Sequence, residues 1–148
     1  MTEAEDPFDL GRFITAQKSI YDTVLAELKS GRKRTHWMWY IFPQIEGLGY
    51  RPTSKLYAIK NMEEARQYLN HPVLGKRLLE CTEAVLALKG GSASEIFGYP
   101  DDLKFKSSLT LFEKIAGTGS VFSFAIDRYC QGERDAATLR LLEKLINL

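Results

Sequence analysis

The stretch His71-Pro72-Val73-Leu74-Gly75-Lys76-Arg77-Leu78-Leu79-Glu80-Cys81-Thr82-Glu83-Ala84-Val85-Leu86-Ala87-Leu88-Lys89-Gly90-Gly91 carries a helix together with its start and its stop. Val73, Leu74, Leu78, Leu79, Cys81, Val85, Leu86 and Leu88 recur at steps of three and four residues, which places them on one broad face of an α-helix. Pro72 suits the first helical position, where its missing N–H costs nothing, and Gly90-Gly91 end the segment. His71, just ahead of the proline, reads as a cap or turn residue. A half-buried strand would need strict alternation, and none is present here.

The same period extends outward in both directions. Upstream, Asn61-Met62-Glu63-Glu64 has the form of a capping box, and Met62, Ala65, Tyr68 and Leu69 continue it as a short helix. Thr53 or Ser54 is placed to cap a helix through Leu56, Tyr57 and Ile59. Nearer the N-terminus, Asp9 precedes Leu10, Phe13, Ile14, Ile20, Tyr21, Val24, Leu25 and Leu28, which predicts one amphipathic helix ending near Lys29-Ser30-Gly31. Downstream, Ser94-Glu95-Ile96-Phe97 reads as a single turn closed by Gly98-Tyr99-Pro100. Asp101 and Asp102 then start a helix with Leu103, Phe105, Leu109, Leu111, Phe112 and Ile115 facing inward. After Gly117-Thr118-Gly119, Ser120 caps a helix through Tyr129 that Gly132 ends. Asp135 caps the last one, with Leu139, Leu141, Leu142, Leu145 and Ile146 apolar. The predicted fold is all-α: a single-domain bundle of about six to eight helices, several short. It spans residues 1–148, with residues 1–7 a flexible tail.

Composition agrees with that class and narrows the function. At 148 residues, 45% hydrophobic and 26% charged, the chain can bury a sizeable core without disulfides or a structural metal. A net charge of +1 gives no global bias toward nucleic acid or an anionic membrane. Cys81 and Cys130 lie far apart within apolar helical patterns and read as buried, reduced thiols; there is no C-x-x-C pair. The start MTEAEDPFD lacks the basic, apolar form of a signal peptide, and no run reaches the ~18–20 apolar residues of a membrane span. A cytoplasmic protein without a membrane partner is expected. Two histidines and two scattered cysteines make no transition-metal ligand set, and Gly47-Leu48-Gly49 lacks the third glycine of a dinucleotide motif. No cofactor is implied, and none of these features sets an oligomeric state.

One stretch breaks the period: Thr35-His36-Trp37-Met38-Trp39-Tyr40-Ile41-Phe42-Pro43-Gln44-Ile45-Glu46-Gly47-Leu48-Gly49-Tyr50. It holds both tryptophans. Trp37 to Phe42 fits a buried strand or a short helix, and Pro43 ends it in either case. Buried indole and imidazole N–H groups require partners, so the segment either organises a core or lines a pocket. Gly47 and Gly49 mark special backbone angles or a close backbone approach. The preceding Arg32-Lys33-Arg34 follows a helix end, where the dipole favours cations; a local anion site is the competing reading.

Five segments in this order resemble a bacterial and fungal family catalogued as domain of unknown function number eighteen-ten. They are HWMWYIFPQIEGLGY, the YAI after it, EARQYLNHPVLGKRLLE, IFGYPDDLKFKSSLTLF and DRYCQGERDAATLRLL. The likeness runs from about Phe8 to Leu145. It implies a mainly helical fold and carries no activity, substrate or catalytic residue with it. The family is sometimes mislabelled calpastatin. Inhibitory calpastatin segments fold only on binding, whereas this composition is that of a packed domain.

The strongest chemical constellation is in the aromatic stretch. His36 and Glu46 are nominated for acid–base work, and Trp37, Trp39, Tyr40 and Gln44 for contacts to a planar ligand. A second group is Lys104, Ser107 and Ser108, which share a helix face and suit an anion. The order K-x-x-S reverses the S-x-x-K of serine acyltransferases, which argues against a nucleophile. Asp127 is the third catalytic candidate, because an acid in an apolar helix needs a partner if buried. The expected function is a small-molecule pocket for a nucleotide or nucleotide-sugar-like ligand, with an enzymatic role left open. The alternative is a non-enzymatic protein-interaction module using the same segment. Nucleic-acid binding through Arg32-Lys33-Arg34 lacks a second basic stripe. Burial of the indoles separates the first two: a concave, polar-ended site favours the pocket and a flat exposed surface favours the module.

Overall fold

The computed structural model describes residues 5–146. Ten helices follow one another: α1 Gly11–Lys18, α2 Tyr21–Ser30, α3 Met38–Ile41, α4 Pro52–Leu56, α5 Met62–Asn70, α6 Leu74–Leu86, α7 Ala93–Phe97, α8 Asp101–Ala116, α9 Val121–Tyr129 and α10 Ala136–Ile146. The described residues contain no strand, only an isolated parallel bridge between Ile45 and Ile59. The all-α expectation stands, with more helices than the six to eight read from the period.

The extra helices have local causes. The segment from Leu10 to Ser30 is two helices, because Ser19 and Ile20 (φ −95° and −118°) interrupt it. The bend lets α1 pack on α3 while α2 packs on α6. The aromatic stretch contributes α3, a single turn that ends at Phe42. Pro52, rather than Thr53 or Ser54, opens α4, and Ile59 leaves it to form the bridge with Ile45.

Several sequence-read caps are present as hydrogen bonds. Asn61 accepts the Glu64 N–H and Asp135 accepts the N–H of Thr138. Ser92 and Glu95 add a full capping box ahead of the turn that the sequence reading began at Ser94. The imidazole Nδ1 of His71 accepts the N–H groups of Val73 and Leu74 at the start of α6. Ser120 makes no side-chain cap bond; the hydroxyl of Ser123 takes the Gly119 N–H instead. Of the expected tail, residues 1–4 lie outside the described residues, while Asp6 is tied to the N–H groups of Leu10 and Gly11. The Ile146 side chain, expected on the apolar face of the last helix, also lies outside the described residues.

The long helix α8 is the axis of the molecule, touching α5, α7, α9 and α10. Every residue from Ser107 to Glu113 is buried. Leu103, expected inward, is 51% exposed, because it precedes the part of α8 that its neighbours enclose. Phe105 stacks on Phe97 at 4.4 Å and meets Phe42 edge-on at 5.0 Å, which fixes the aromatic stretch to α7 and α8. Helices α5 and α6 meet so closely that a Cβ on Gly75 would sit 1.8 Å from the Leu69 carbonyl oxygen. Cys81 and Cys130 are both buried free thiols, and burial pushes them up to about 12 and about 11.

Three buried glutamates hold the irregular connections. Glu64 accepts Arg12 and the Lys60 N–H; Glu113 accepts Arg134 and the Ser123 hydroxyl; Glu27 holds the loop ahead of the aromatic turn. A buried carboxylate is tolerated only when donors meet it, and both oxygens of each of these accept a hydrogen bond.

Candidate functional site

The site is built from the loop between α2 and α3. Glu27 lies on the same stripe of α2 as Val24 and Leu28, so its carboxylate points under that loop. It accepts four hydrogen bonds: from the N–H groups of Arg34 and Thr35, the Thr35 hydroxyl and the Trp37 indole at 2.9 Å. Burial alone pushes the Glu27 carboxyl up, but these donors outweigh it and hold it at about 2. Trp37 is 1% exposed and fully satisfied. It is a core residue.

Trp39 points the other way. It is half-buried, and its indole N–H donates to the Ser54 hydroxyl at 3.2 Å. The Lys104 ammonium lies 4.2 Å from its ring centroid. Lys104 also pairs with Asp101 at 3.2 Å, and the other oxygen of Asp101 pairs with Lys33 at 2.8 Å. Lys33 in turn lies 5.1 Å from the ring centroid of Trp37 and donates to the Thr35 carbonyl. Two ammonium groups therefore share one carboxylate, each against an indole. The structure brings the first and second sequence-read groups together through Lys104 and Trp39.

Both glycines of the following loop act as the sequence suggested, for different reasons. Gly47 has φ +110°, in the region that favours glycine. At Gly49 a Cβ would lie 2.5 Å from that of Ser54, so the close approach is what lets Ser54 reach the Trp39 indole. Just ahead of Gly47 the bridge bonds, Glu46 N–H to the Ile59 carbonyl and Ile59 N–H to the Gln44 carbonyl, pin the loop. Trp39, Gln44, Glu46, Ser54, Lys55 and Tyr57 line a cavity of about 20 Å³, room for one water molecule and not for a nucleotide. A pocket large enough to enclose such a ligand is not preformed beside Trp39.

The remaining candidates are dispersed. The Tyr40 ring packs edge-on against Tyr57 at 4.7 Å, and its carbonyl accepts from buried Gln17. Ser107 and Ser108 are 6% and 1% exposed; Ser107 bonds back to the Leu103 carbonyl, and Ser108 Oγ has no partner among the described residues. No hydrogen bond links either hydroxyl to the Lys104 ammonium, which is drawn to Asp101 and Trp39 instead. His36, Glu46 and Asp127 are each exposed; His36 and Glu46 stand on opposite sides of α3, and Asp127 is on α9. Asp127 needs no buried partner; its charged neighbour is Arg134. Of the three, Glu46 alone reaches the rim of the Trp39 cavity.

Sequence reasoning missed Glu27, Ser54 and Asp101 as parts of the site, and it reached Lys33 only within Arg32-Lys33-Arg34, where a local anion site was the competing reading. Glu27 had a signal, an acid inside the apolar stripe of Val24 and Leu28. Asp101 had none beyond its place at a helix start.

The family model described as "Protein of unknown function (DUF1810)" matches residues 7–142. The chain belongs to this family. The DUF1810 chain is also similar to the conserved hypothetical protein Rv1873 from Mycobacterium tuberculosis, whose crystal structure has a TM-score of 0.91 against it at 48% identity. That match covers 93% of this chain and 99% of the other. No curated protein matches the chain. Among the described residues of this DUF1810 member, no helix is long and apolar enough to cross a membrane.

Proposed function

We propose that the half-buried Trp39, with Lys104 over its ring, receives a small anionic ligand carrying a planar group, of the nucleotide or nucleotide-sugar class. The observation that carries this reading is the cation held over an indole that the core leaves partly open. A cation–π contact at such a site is worth about 0.5–1 kcal/mol. The Asp101 pair is partly exposed and adds at most about 1 kcal/mol more. Lys104 is therefore cheap to move. A ligand that brings its own charge can take the ammonium onto that charge and lay its ring on the indole it uncovers. Because the enclosed space holds one water, the ligand lies across the surface, with Gln44, Glu46, Ser54 and Lys55 at its edge. If turnover accompanies binding, the acid–base role falls to Glu46, and Glu46→Gln then removes turnover while leaving binding intact.

The test is intrinsic fluorescence of the wild-type protein and of Trp39→Phe, titrated with nucleoside mono- and diphosphates and sugar nucleotides. At least one ligand is expected to change wild-type emission and to leave Trp39→Phe unchanged, with both proteins equally folded by circular dichroism. An unchanged wild-type spectrum across the series rejects the reading.

A second reading rests on Tyr50 and Leu56, which are 86% and 58% exposed beside the same loop. Large apolar groups left open next to a half-buried indole suit a protein partner. A silent ligand series combined with a partner lost on Tyr50→Ser favours that module.

A further inference from the structure

We infer that Lys33 and Lys104 form a seat for a phosphoryl group, and that the Asp101 carboxylate fills this seat when no ligand is present. This rests on the ligand reading of Trp39 and adds to it where the charged end goes and what keeps the place.

The geometry is a fork: one oxygen of Asp101 is 2.8 Å from Lys33 Nζ and the other 3.2 Å from Lys104 Nζ. A single negative charge thus faces two positive ones. Among the described residues, neither ammonium group makes a second ion pair. Lys33 has the Trp37 ring and the Thr35 carbonyl, and Lys104 has the Trp39 ring. An aromatic face attracts a cation without neutralising it. The nearby Glu27 carboxylate keeps its own charge but turns both oxygens to the loop and the Trp37 indole, and it makes no ion pair with either lysine.

The side chains of Lys33, Asp101 and Lys104 are 6%, 19% and 21% exposed. That shelters the excess charge from water enough to matter while leaving a way in. Asp101 is also the first residue of the 16-residue helix α8, whose dipole adds to the attraction for an anion there. A phosphoryl group carries about −1.5 to −2 charges and three acceptor oxygens, which matches two ammonium groups better than one carboxylate does. Asp101 is short and stands at the helix end, so it can turn aside when a stronger anion arrives. It acts as an internal stand-in that sets the threshold for binding.

The test uses the full chain and a probe without a ring, inorganic pyrophosphate, measured by calorimetry. Asp101→Asn is expected to bind pyrophosphate at least about tenfold more tightly than wild type, and adding Lys104→Ala to it abolishes the gain, with binding weakened by salt. Equal affinity of wild type and Asp101→Asn overturns the inference, as does a gain that survives Lys104→Ala. Should Asp101→Asn fail to fold, the wild-type protein decides by NMR. Saturating pyrophosphate must shift the Lys33 and Lys104 side-chain signals and the Asp101 carboxyl together, and shifts at other lysines alone reject the seat. Nucleoside monophosphates and nucleosides separate this from the reading beneath it. Pyrophosphate binding with no gain from a base keeps the seat and removes the stacked ring. A base-dependent gain that ignores Asp101 does the reverse.

Discussion

Trp37 and Trp39 are two residues apart on one short segment, yet the first belongs to the core and the second to the surface. The cause is the single turn of helix between Trp37 and Phe42. Side chains two positions apart on a helix diverge by roughly 200°, whereas on a strand they would share a face. The inward indole gives its N–H to a buried carboxylate, and the outward one gives it to a serine hydroxyl and takes a lysine over its ring. The same residue type is thereby divided between holding the fold and meeting whatever approaches it.

Truncation separates the two indoles most directly. Trp37→Ala is expected to cost about 3–5 kcal/mol in urea unfolding, because it opens a cavity and strips Glu27 of a donor. Trp39→Ala should cost no more than about half of that. Equal losses from the two variants mean that both indoles are structural and that the outward site does not exist as described.

A smaller effect sharpens the inward half. Glu27→Gln places an amide among four donors, and the expected loss is about 2–3 kcal/mol at neutral pH. The wild-type carboxyl is held at about 2, below its ordinary 4.5. The stability it supplies is therefore fully present above pH 4.5 and is lost as the pH falls toward about 2. Glu113 contributes with the same sign, since its Arg134 partner lowers it against burial, with Ser123 helping. Stability measured from pH 5 to 2 should thus fall in the wild type and fall less steeply in Glu27→Gln. An unchanged slope would show that Glu27 is not the group that anchors the loop.

The helical class was legible because α5, α6, α8 and α10 carry their apolar stripes in a plain three-to-four period. The caps at Asn61, His71 and Asp135 were readable from residue type alone or nearly so, whereas the Ser92 cap was passed over because the turn was read from Ser94. The break at Ser19 was not, since both halves keep the same stripe and only the different partners of α1 and α2 require the bend. At the site, the type of the residues was readable and their grouping was not. A run such as Trp37 to Phe42 has no decisive period, and the choice between strand and helix is what separates the two indoles. The meeting of Lys104 with Trp39 joins segments 65 positions apart, which no local pattern encodes. Ser107 and Ser108 shared a stretch with Lys104, but α8 is enclosed by its neighbours from Ser107 onward, and they went inside.

The smallest expected effect tests the outward half. Lys104→Met keeps the length and apolar stem of the side chain and removes the ammonium. Its contacts with Trp39 and Asp101 are each worth at most about 1 kcal/mol at partial exposure, so the variant should unfold within about 2 kcal/mol of wild type. Its spectrum should nevertheless change, because the charge nearest the Trp39 ring has gone, and the change should vanish in a Trp39→Phe background where Trp37 is the reporter. A cost near that of Trp37→Ala would place Lys104 in the core. A spectral change that persists without Trp39 would place the ammonium nearer the buried indole. The expected pair of results, little stability lost and one indole altered, is what a lysine held loosely over an accessible ring must give.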